Sequence, residues 1–168
     1  MTGDAPCIRL LVIDVDGVIT DGRILLLATG DEARSVHFHD LDAVAHGRRH
    51  GLEVAILSGE DTPGSRRVAE RFGIDEAVFG AKDKLTALHD LAGRLGVALA
   101  EVCYVGDADR DAPALGAAGV GLAPADATSS ARAAADHVLD APGGHGAVAA
   151  AVTLLGDTRR LPGERRPR

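Results

Sequence analysis

The chain has 168 residues, of which 46% are hydrophobic and only 2% aromatic, and its formal net charge is -7. This length predicts one domain with a sizeable core, built mainly from Ala, Val and Leu. The acidic balance argues against nucleic acid or an anionic membrane as a partner. Cys7 and Cys103 are too few for a disulfide framework, and no signal peptide or membrane-spanning apolar run is evident, so we expect a cytoplasmic protein.

The stretch Leu10–Gly22 carries the strongest signal. An apolar run from Ile8 to Ile13 predicts a strand buried on both faces of a parallel sheet, and it ends in Asp14 and Asp16. Carboxylates at the carboxyl end of such a strand lie at the edge where open α/β sheets bind ligands. A plain turn is the alternative interpretation, because Asp and Gly are common where strands end.

The segment after the Asp pair predicts a β-hairpin, which we call the flap (residues 22–38). Arg23–Ala28 and Ala33–Phe38 are extended stretches on either side of a turn at Gly30. Leu25–Leu27 is too apolar for an exposed hairpin. We therefore expect another part of the chain or, preferentially, another subunit to cover it.

Predicted strands and helices alternate along the rest of the chain. The strands are 52–57, 77–79, 102–105, 120–122 and 137–139, and the helices are a segment capped by Asp40 and ending at Arg49, then 63–72, 83–95, 109–117, 129–134 and 146–155. This alternation predicts an α/β, Rossmann-like, doubly wound parallel sheet. We expect residues 1–158 to form a single domain without a large cap domain, and the basic tail 159–168 to be disordered.

Four predicted strands end in polar residues that would meet at one edge of the sheet. These residues are the Asp14/Asp16 pair, Ser58, the Lys82–Lys84 segment, and Asp107 with Asp111. A carboxylate cluster in an acidic protein needs a cation, and Mg²⁺ takes carboxylate, water and phosphate oxygens. The hydroxyl and the ammonium suit a phosphate group on the far side of the metal.

This set of side chains predicts phosphate-transfer chemistry. An Asp carboxylate can attack phosphorus and form an aspartyl-phosphate. A second carboxyl two residues further on can protonate the leaving oxygen and then deprotonate the hydrolytic water.

In this order, the segments resemble the four motifs of the haloacid dehalogenase-like phosphatases. Asp14-Val15-Asp16-Gly17-Val18 matches the first motif, Ser58 the second, Lys84 the third, and Gly106-Asp107 with Asp111 the fourth. The sequences 16–22, 104–107 and 143–148 are similar to the 3-deoxy-D-manno-octulosonate 8-phosphate phosphatase branch, which includes 2-keto-3-deoxynononate 9-phosphate phosphatases. Members of this branch lack a large cap domain and form tetramers whose neighbouring subunits help to close each site.

The resemblance implies a role for each matching residue. Asp14 is the expected nucleophile and a Mg²⁺ ligand, and Asp16 the expected general acid/base with its backbone carbonyl on the metal. Ser58 and Lys84 are expected to hold the phosphoryl group. The remaining implied residues are Gly59, Glu60 and Arg71 for substrate binding and Asp107 and Asp111 for the metal.

Departures from the branch concern substrate recognition. Octulosonate enzymes usually have Arg where this chain has Glu60, which instead resembles the nononate enzymes. An Arg that those enzymes carry in the next helix aligns with Val68, and Arg71 takes the place of a nearby Lys. Ala108 and His145 also replace the usual Asp and Arg. The hydrolytic residues therefore match the branch, whereas the sugar specificity stays open.

Several alternatives accompany this hypothesis. The enzyme could act on another small phosphorylated metabolite, or the chain could be a non-catalytic tetramerisation module, although the latter has no need for a costly carboxylate cluster. His37 and His39 would lie on one strand face as a zinc pair with no evident third ligand. Lys82 is expected to be a solvated surface charge.

Overall fold

The computed structural model describes residues 6–158 and 160–162. Its strands are β1 Leu10–Ile13, β2 Leu25–Leu26, β3 Glu32–Ala33, β4 Glu53–Leu57, β5 Ala77–Val78, β6 Val102–Val105, β7 Val120–Ala123 and β8 His137–Val138. Its α-helices are α1 Phe38–Arg49, α2 Pro63–Phe72, α3 Lys84–Leu95, α4 Ala112–Ala117, α5 Ser129–Ala134 and α6 Ala147–Asp157. Within these ranges no helix combines the length and apolar character needed to cross a bilayer.

A parallel sheet in the order β5-β4-β1-β6-β7-β8 organises the fold, which confirms the predicted α/β class. The chain builds outward from β1 through β4 to β5, then returns to the other side of β1 with β6. This is the strand order of dinucleotide-binding folds, in which ligands bind at the carboxyl ends of the strands where the winding direction reverses. Here that point is the end of β1, directly before Asp14.

Both faces of the sheet are covered, and the central strand β1 is apolar throughout. Leu11 and Ile13 pack in one core layer with residues of α1, α2 and α6, and Leu10 and Val12 pack in the other with α3, α4 and α5. All four β1 side chains are fully buried. Burial on both faces explains the continuous apolar run that precedes the Asp pair.

The hydrogen-bonded part of the flap hairpin is much shorter than predicted. Only β2 and β3 pair, with Leu25 opposite Ala33, and Phe38 already belongs to α1. The prediction that His37 and His39 share a strand face is wrong. The His37 side chain caps α1 by accepting a hydrogen bond from the His39 backbone N–H at 3.2 Å, a local contact that ends the extended segment.

Asp40 does not cap its own helix. It lies in the first turn of α1, fully buried, and its Oδ1 accepts a hydrogen bond from the Ala149 N–H at 2.8 Å. Asp40 therefore stabilises the start of α6, whose first N–H groups have no partner within the helix. The sequence pattern suggested the nearest helix, whereas the tertiary contact joins two helices far apart in the chain.

The first tail residues pack against the domain. The Arg160 N–H donates to the Leu155 carbonyl at 2.8 Å, and Leu161 is only 1% exposed. The predicted disorder is thus wrong for 160–162, because Leu161 adds an apolar side chain to the core layer beneath α6. The lead-in at 1–5 and the tail residues 159 and 163–168 lie outside the described residues.

Candidate active site

Three predicted carboxylates meet beyond the ends of β1 and β6. Carboxylate oxygens of Asp14, Asp107 and Asp111 all lie within 4.8 Å of one another, and we call this group the carboxylate cluster. The Asp14 N–H donates to the Val105 carbonyl at 3.0 Å, which extends the β1–β6 pairing into the site. Parallel pairing thus brings together residues separated by most of the chain.

Lys84 is the cation of the cluster. Its Nζ lies 3.0 Å from Asp14 Oδ1 and 3.2 Å from Asp111 Oδ1, and it donates to the Leu57 carbonyl at 2.7 Å. The residue is only 3% exposed. A buried ammonium is tolerated when it is paired and hydrogen-bonded, as it is here. Asp83 caps α3 by accepting from the Thr86 N–H, which fixes Lys84 as the first residue of that helix.

Tyr104 belongs to the site, although the sequence analysis gave it no role there. Its hydroxyl donates to Asp111 Oδ1 at 2.5 Å, while Asp111 Oδ2 accepts from the N–H groups of Asp107 and Ala108 at 3.2 and 3.0 Å. Burial first, and the Asp111 charge next, raise the pKa of Tyr104 well above its usual value, so the hydroxyl stays a donor. The available signal was a lone tyrosine inside an apolar strand, since a buried hydroxyl needs a partner.

The cluster fits a divalent cation. Asp107 Oδ1 is buried and has no hydrogen-bond partner among the described residues. A Cβ atom at Gly17, where φ is +89°, would lie 2.1 Å from Asp107 Oδ2, so the backbone there makes room for this carboxylate. An orphaned carboxylate oxygen beside two further carboxylates is the donor set that Mg²⁺ takes.

Burial perturbs the carboxyl groups of Asp14 and Asp107. It raises the pKa of Asp14 to about 7 against the opposing charge of Lys84, with Asp111 adding to the increase. Burial also raises the pKa of Asp107 to about 7, again reinforced by Asp111. The excess negative charge in this small volume favours a cation, which would restore the ionised forms.

The second predicted motif lies beside Lys84. Ser58 follows β4, is 1% exposed, and accepts a hydrogen bond through Oγ from the Glu60 N–H at 3.2 Å. A Cβ at Gly59 would lie 3.7 Å from Lys84 Cε. The turn 58–60 therefore borders the Lys84 side chain and carries a hydroxyl and backbone groups next to it.

The predicted substrate-binding residues lie further out. Glu60 is exposed and pairs with Lys82 at 2.8 Å, and Lys82 also donates to the Gly59 carbonyl at 2.6 Å. The hydrogen bond and charge of Lys82 lower the pKa of Glu60. Lys82 is thus exposed, as expected, but is also an ion-pair partner. The Arg71 guanidinium lies over the Phe38 ring at 5.7 Å, and no contact among the described residues joins Arg71 to the carboxylate cluster.

Asp16 has a partner that the sequence analysis missed. Its Oδ1 accepts a hydrogen bond from Arg34 Nε at 2.9 Å, and Arg34 comes from the flap. Asp16 remains 28% exposed in its side chain and lies on the turn Val15–Ile19. The sequence gave no periodic or motif signal for Arg34, because the contact depends on how the flap folds back.

The strand order and the carboxylate–lysine cluster define a phosphate-handling α/β hydrolase, and comparison with known proteins agrees. The sequence profile of the haloacid dehalogenase-like hydrolases matches residues 36–119. The chain belongs to the haloacid dehalogenase-like hydrolase family and is a phosphatase.

Relatives within this family share most of the chain. The 3-deoxy-D-manno-octulosonate 8-phosphate phosphatase KdsC of Haemophilus influenzae is 39% identical over 140 residues, which cover 83% of this chain and 78% of that protein. The Moraxella catarrhalis phosphatase of the same name, solved with magnesium, phosphate and KDO, is 32% identical with a TM-score of 0.87, covering 92% of this chain and 89% of that one. The cobalt-bound Haemophilus influenzae structure is 34% identical with a TM-score of 0.87, covering 95% and 94%.

Proposed function

We propose that this chain is a Mg²⁺-dependent phosphatase that removes phosphate from a 2-keto-3-deoxy sugar acid, either octulosonate 8-phosphate or nononate 9-phosphate. The observation that carries the proposal is the carboxylate cluster at the end of β1, two of whose members, Asp14 and Asp111, are buried and paired with Lys84. A similar phosphatase has been solved with magnesium, phosphate and a sugar acid, which supports the substrate class.

In the proposed reaction, Asp14 attacks the phosphorus atom and the bond from phosphorus to the sugar oxygen breaks. Asp16 gives its proton to that oxygen, so the sugar leaves as a neutral alcohol. Asp16 then takes a proton from water, whose oxygen attacks the phosphorus of the aspartyl-phosphate. Inorganic phosphate leaves, and Asp14 is free again.

The other residues bind and neutralise the phosphoryl group. Lys84 carries the positive charge nearest to Asp14, and Ser58 and Gly59 border it. The carboxylates of Asp14, Asp107 and Asp111, with the backbone carbonyl of Asp16, are the proposed Mg²⁺ ligands. Bound Mg²⁺ supplies positive charge against the phosphate oxygens and lowers the repulsion between phosphate and nucleophile.

Substrate selection is assigned to the outer residues Glu60 and Arg71. Val68, which aligns with an Arg of the nononate enzymes, is only 5% exposed and packs in the core. That position therefore offers no polar contact. Because Val68 replaces that Arg, the test also includes a second candidate function, a phosphatase for another small phosphorylated metabolite.

The test is phosphate release from octulosonate 8-phosphate, nononate 9-phosphate, sialic acid 9-phosphate and simple sugar phosphates, with Mg²⁺ and with EDTA. A Mg²⁺-dependent preference for one 2-keto-3-deoxy acid would support the proposal. Broad, weak release would favour the second candidate, and no release from any phosphate would contradict both. Asp14→Asn should lose turnover by at least about a thousand-fold while staying folded.

We also propose a homotetramer in which flaps associate and a neighbouring subunit completes each site. Leu25 and Leu26 are 63% and 74% exposed on the flap, an apolar surface that suits burial against further copies. Leu26→Glu should lower the oligomeric state in sedimentation experiments. Val138→Glu, at an apolar position 41% exposed outside the flap, is the matched control. A Leu26→Glu variant that sediments like the unmodified protein would contradict this assembly.

A cytoplasmic location completes the proposal. Cys7 and Cys103 are both free thiols, and burial raises the pKa of Cys103 far above its usual value. Reduced, unpaired cysteines suit the cytoplasm. Cell fractionation would test it, and recovery with the membrane or outside the cell would contradict it.

A further inference from the structure

Arg34 connects the flap to the turn that carries Asp16. It follows β3, and its Nε donates to Asp16 Oδ1 at 2.9 Å while Nη1 donates to Glu32 Oε2 at 3.1 Å. The Arg34 side chain is only 4% exposed, although the hairpin residues around it are exposed. Although Arg34 belongs to a surface hairpin, its side chain is therefore buried by its contacts with Asp16 and Gly64.

Gly64 at the start of α2 provides the space for this guanidinium. A Cβ atom at position 64 would lie 2.1 Å from Arg34 Nη1 and 3.0 Å from Cζ. Any side chain larger than hydrogen would therefore force Arg34 to move. Three elements meet at this point: the flap, the Asp16 turn and the first turn of α2.

The contact leaves one oxygen of Asp16 available. Oδ1 accepts the hydrogen bond from Arg34, and within residues 6–158 and 160–162 no hydrogen bond reaches Oδ2. A charge-assisted bond to a planar guanidinium restricts rotation of a carboxyl group more than a contact with solvent does. Orientation matters for a proton-transfer group, because small displacements reduce the rate strongly.

We propose that Arg34 is a positioning residue that holds the Asp16 carboxyl group so that Oδ2 faces the leaving oxygen of the substrate. The flap then supplies part of the acid/base geometry in addition to covering the site, and Gly64 leaves the space that the Arg34 guanidinium occupies in this orientation. The inference rests on the proposed function, since it needs Asp16 as the general acid.

Aryl phosphates of different leaving-group basicity test the inference. The ratio kcat/KM reports the steps up to departure of the leaving group. A poor leaving group such as phenolate needs protonation by the general acid more than p-nitrophenolate does. These substrates carry no sugar, so a sugar contact cannot mimic the effect. Arg34→Ala should lower kcat/KM by about 10-fold to 100-fold for phenyl phosphate and by less than about twofold for p-nitrophenyl phosphate.

Two further variants sharpen the comparison. Gly64→Ala keeps Arg34 but displaces its guanidinium, so it should show the same leaving-group dependence as Arg34→Ala. Arg23→Ala removes another flap arginine, which is exposed, and should match the unmodified enzyme with both substrates. Asp16→Asn gives the reference pattern for loss of the acid.

Each outcome decides one question. Equal losses for both substrates in Arg34→Ala would assign Arg34 a merely structural role and overturn the inference. Leaving-group dependence in Asp16→Asn but not in Arg34→Ala would overturn the inference and leave the proposed function intact. Failure of the unmodified enzyme to hydrolyse any phosphate would overturn the proposed function and the inference together.

Discussion

At the scale of single residues, the site is defined by an imbalance of buried charge. Asp14 and Asp111 share the buried ammonium of Lys84, while Asp107 Oδ1, in the same carboxylate cluster, has no partner among the described residues. Buried charges persist where they are paired or bound to metal. The arrangement is therefore costly without a cation and is expected to be stabilised by one.

Tyr104 offers a test of this view. Tyr104→Phe keeps the ring in the core but removes the hydroxyl that donates to Asp111 at 2.5 Å. We expect the free energy of unfolding to fall by about 1–3 kcal/mol. The affinity for Mg²⁺ should fall by about 10-fold, since partners of ligating carboxylates support metal binding.

Denaturant unfolding and Mg²⁺ titration of the phosphatase activity measure the two effects of Tyr104→Phe. A variant with unchanged Mg²⁺ affinity would contradict a supporting role for the Tyr104–Asp111 hydrogen bond. A loss of stability alone would reduce Tyr104 to a packing residue.

Residues that follow strands were predictable, whereas residues that reach the site from elsewhere were not. Asp14, Ser58 and Asp107 follow parallel strands, and such ends must meet at one edge of the sheet. Tyr104 points into the core from within a strand, and Arg34 arrives from a folded-back hairpin. The lone tyrosine in an apolar strand signals that its hydroxyl needs a partner but not which one, and the Arg34 contact has no sequence signal, because both contacts depend on tertiary packing.

At the scale of elements, the turn Val15–Ile19 determines whether the metal site can form. Gly17 has φ of +89°, and a Cβ there would overlap the Asp107 carboxylate. Gly17→Ala should therefore displace Asp107 and abolish most Mg²⁺-dependent activity. Steady-state kinetics over a range of Mg²⁺ concentrations measure this loss.

Gly96→Ala is the matched control for Gly17→Ala. Gly96 ends α3 with φ of +65°, and nothing lies within 4 Å of its would-be Cβ. The Gly96→Ala variant should lose about 1 kcal/mol in its free energy of unfolding, because alanine disfavours this backbone conformation, and it should keep its activity. Full activity in Gly17→Ala would contradict the account of this turn.

The regular elements were predicted better than the connections between them. Strand–helix alternation was enough for the sheet, because both sheet faces need cover. The flap and Asp40 were misjudged for a common reason. His37 starts α1 early through a local cap, and Asp40 stabilises a distant helix through Ala149, contacts that periodicity does not report.

At the scale of the whole molecule, buried carboxylates link folding to pH and metal. The pKa values of Asp14 and Asp107, about 7 in the fold, lie above the usual 3.8. As pH rises between these values, the unfolded chain releases protons that the fold retains, so the metal-free protein loses stability. Mg²⁺ binds the deprotonated carboxylates and offsets this loss.

The resulting prediction concerns the gain in Tm on adding Mg²⁺. The gain should be small near pH 6, where protons compete for the site, and larger near about pH 8. Thermal unfolding with Mg²⁺ and with EDTA at both pH values measures it. A gain that is equal at the two pH values, or greater at the lower one, would contradict the assigned ligands.

The central claim is that Asp14 carries the phosphoryl group during turnover. The most direct measurement is to quench the Mg²⁺-loaded enzyme with acid during hydrolysis, reduce it with borohydride, and map the peptides by mass spectrometry. An aspartyl-phosphate is converted to homoserine, and we predict this change at residue 14 only when substrate is present. Homoserine at another aspartate, or none in an enzyme that releases phosphate, would contradict the account.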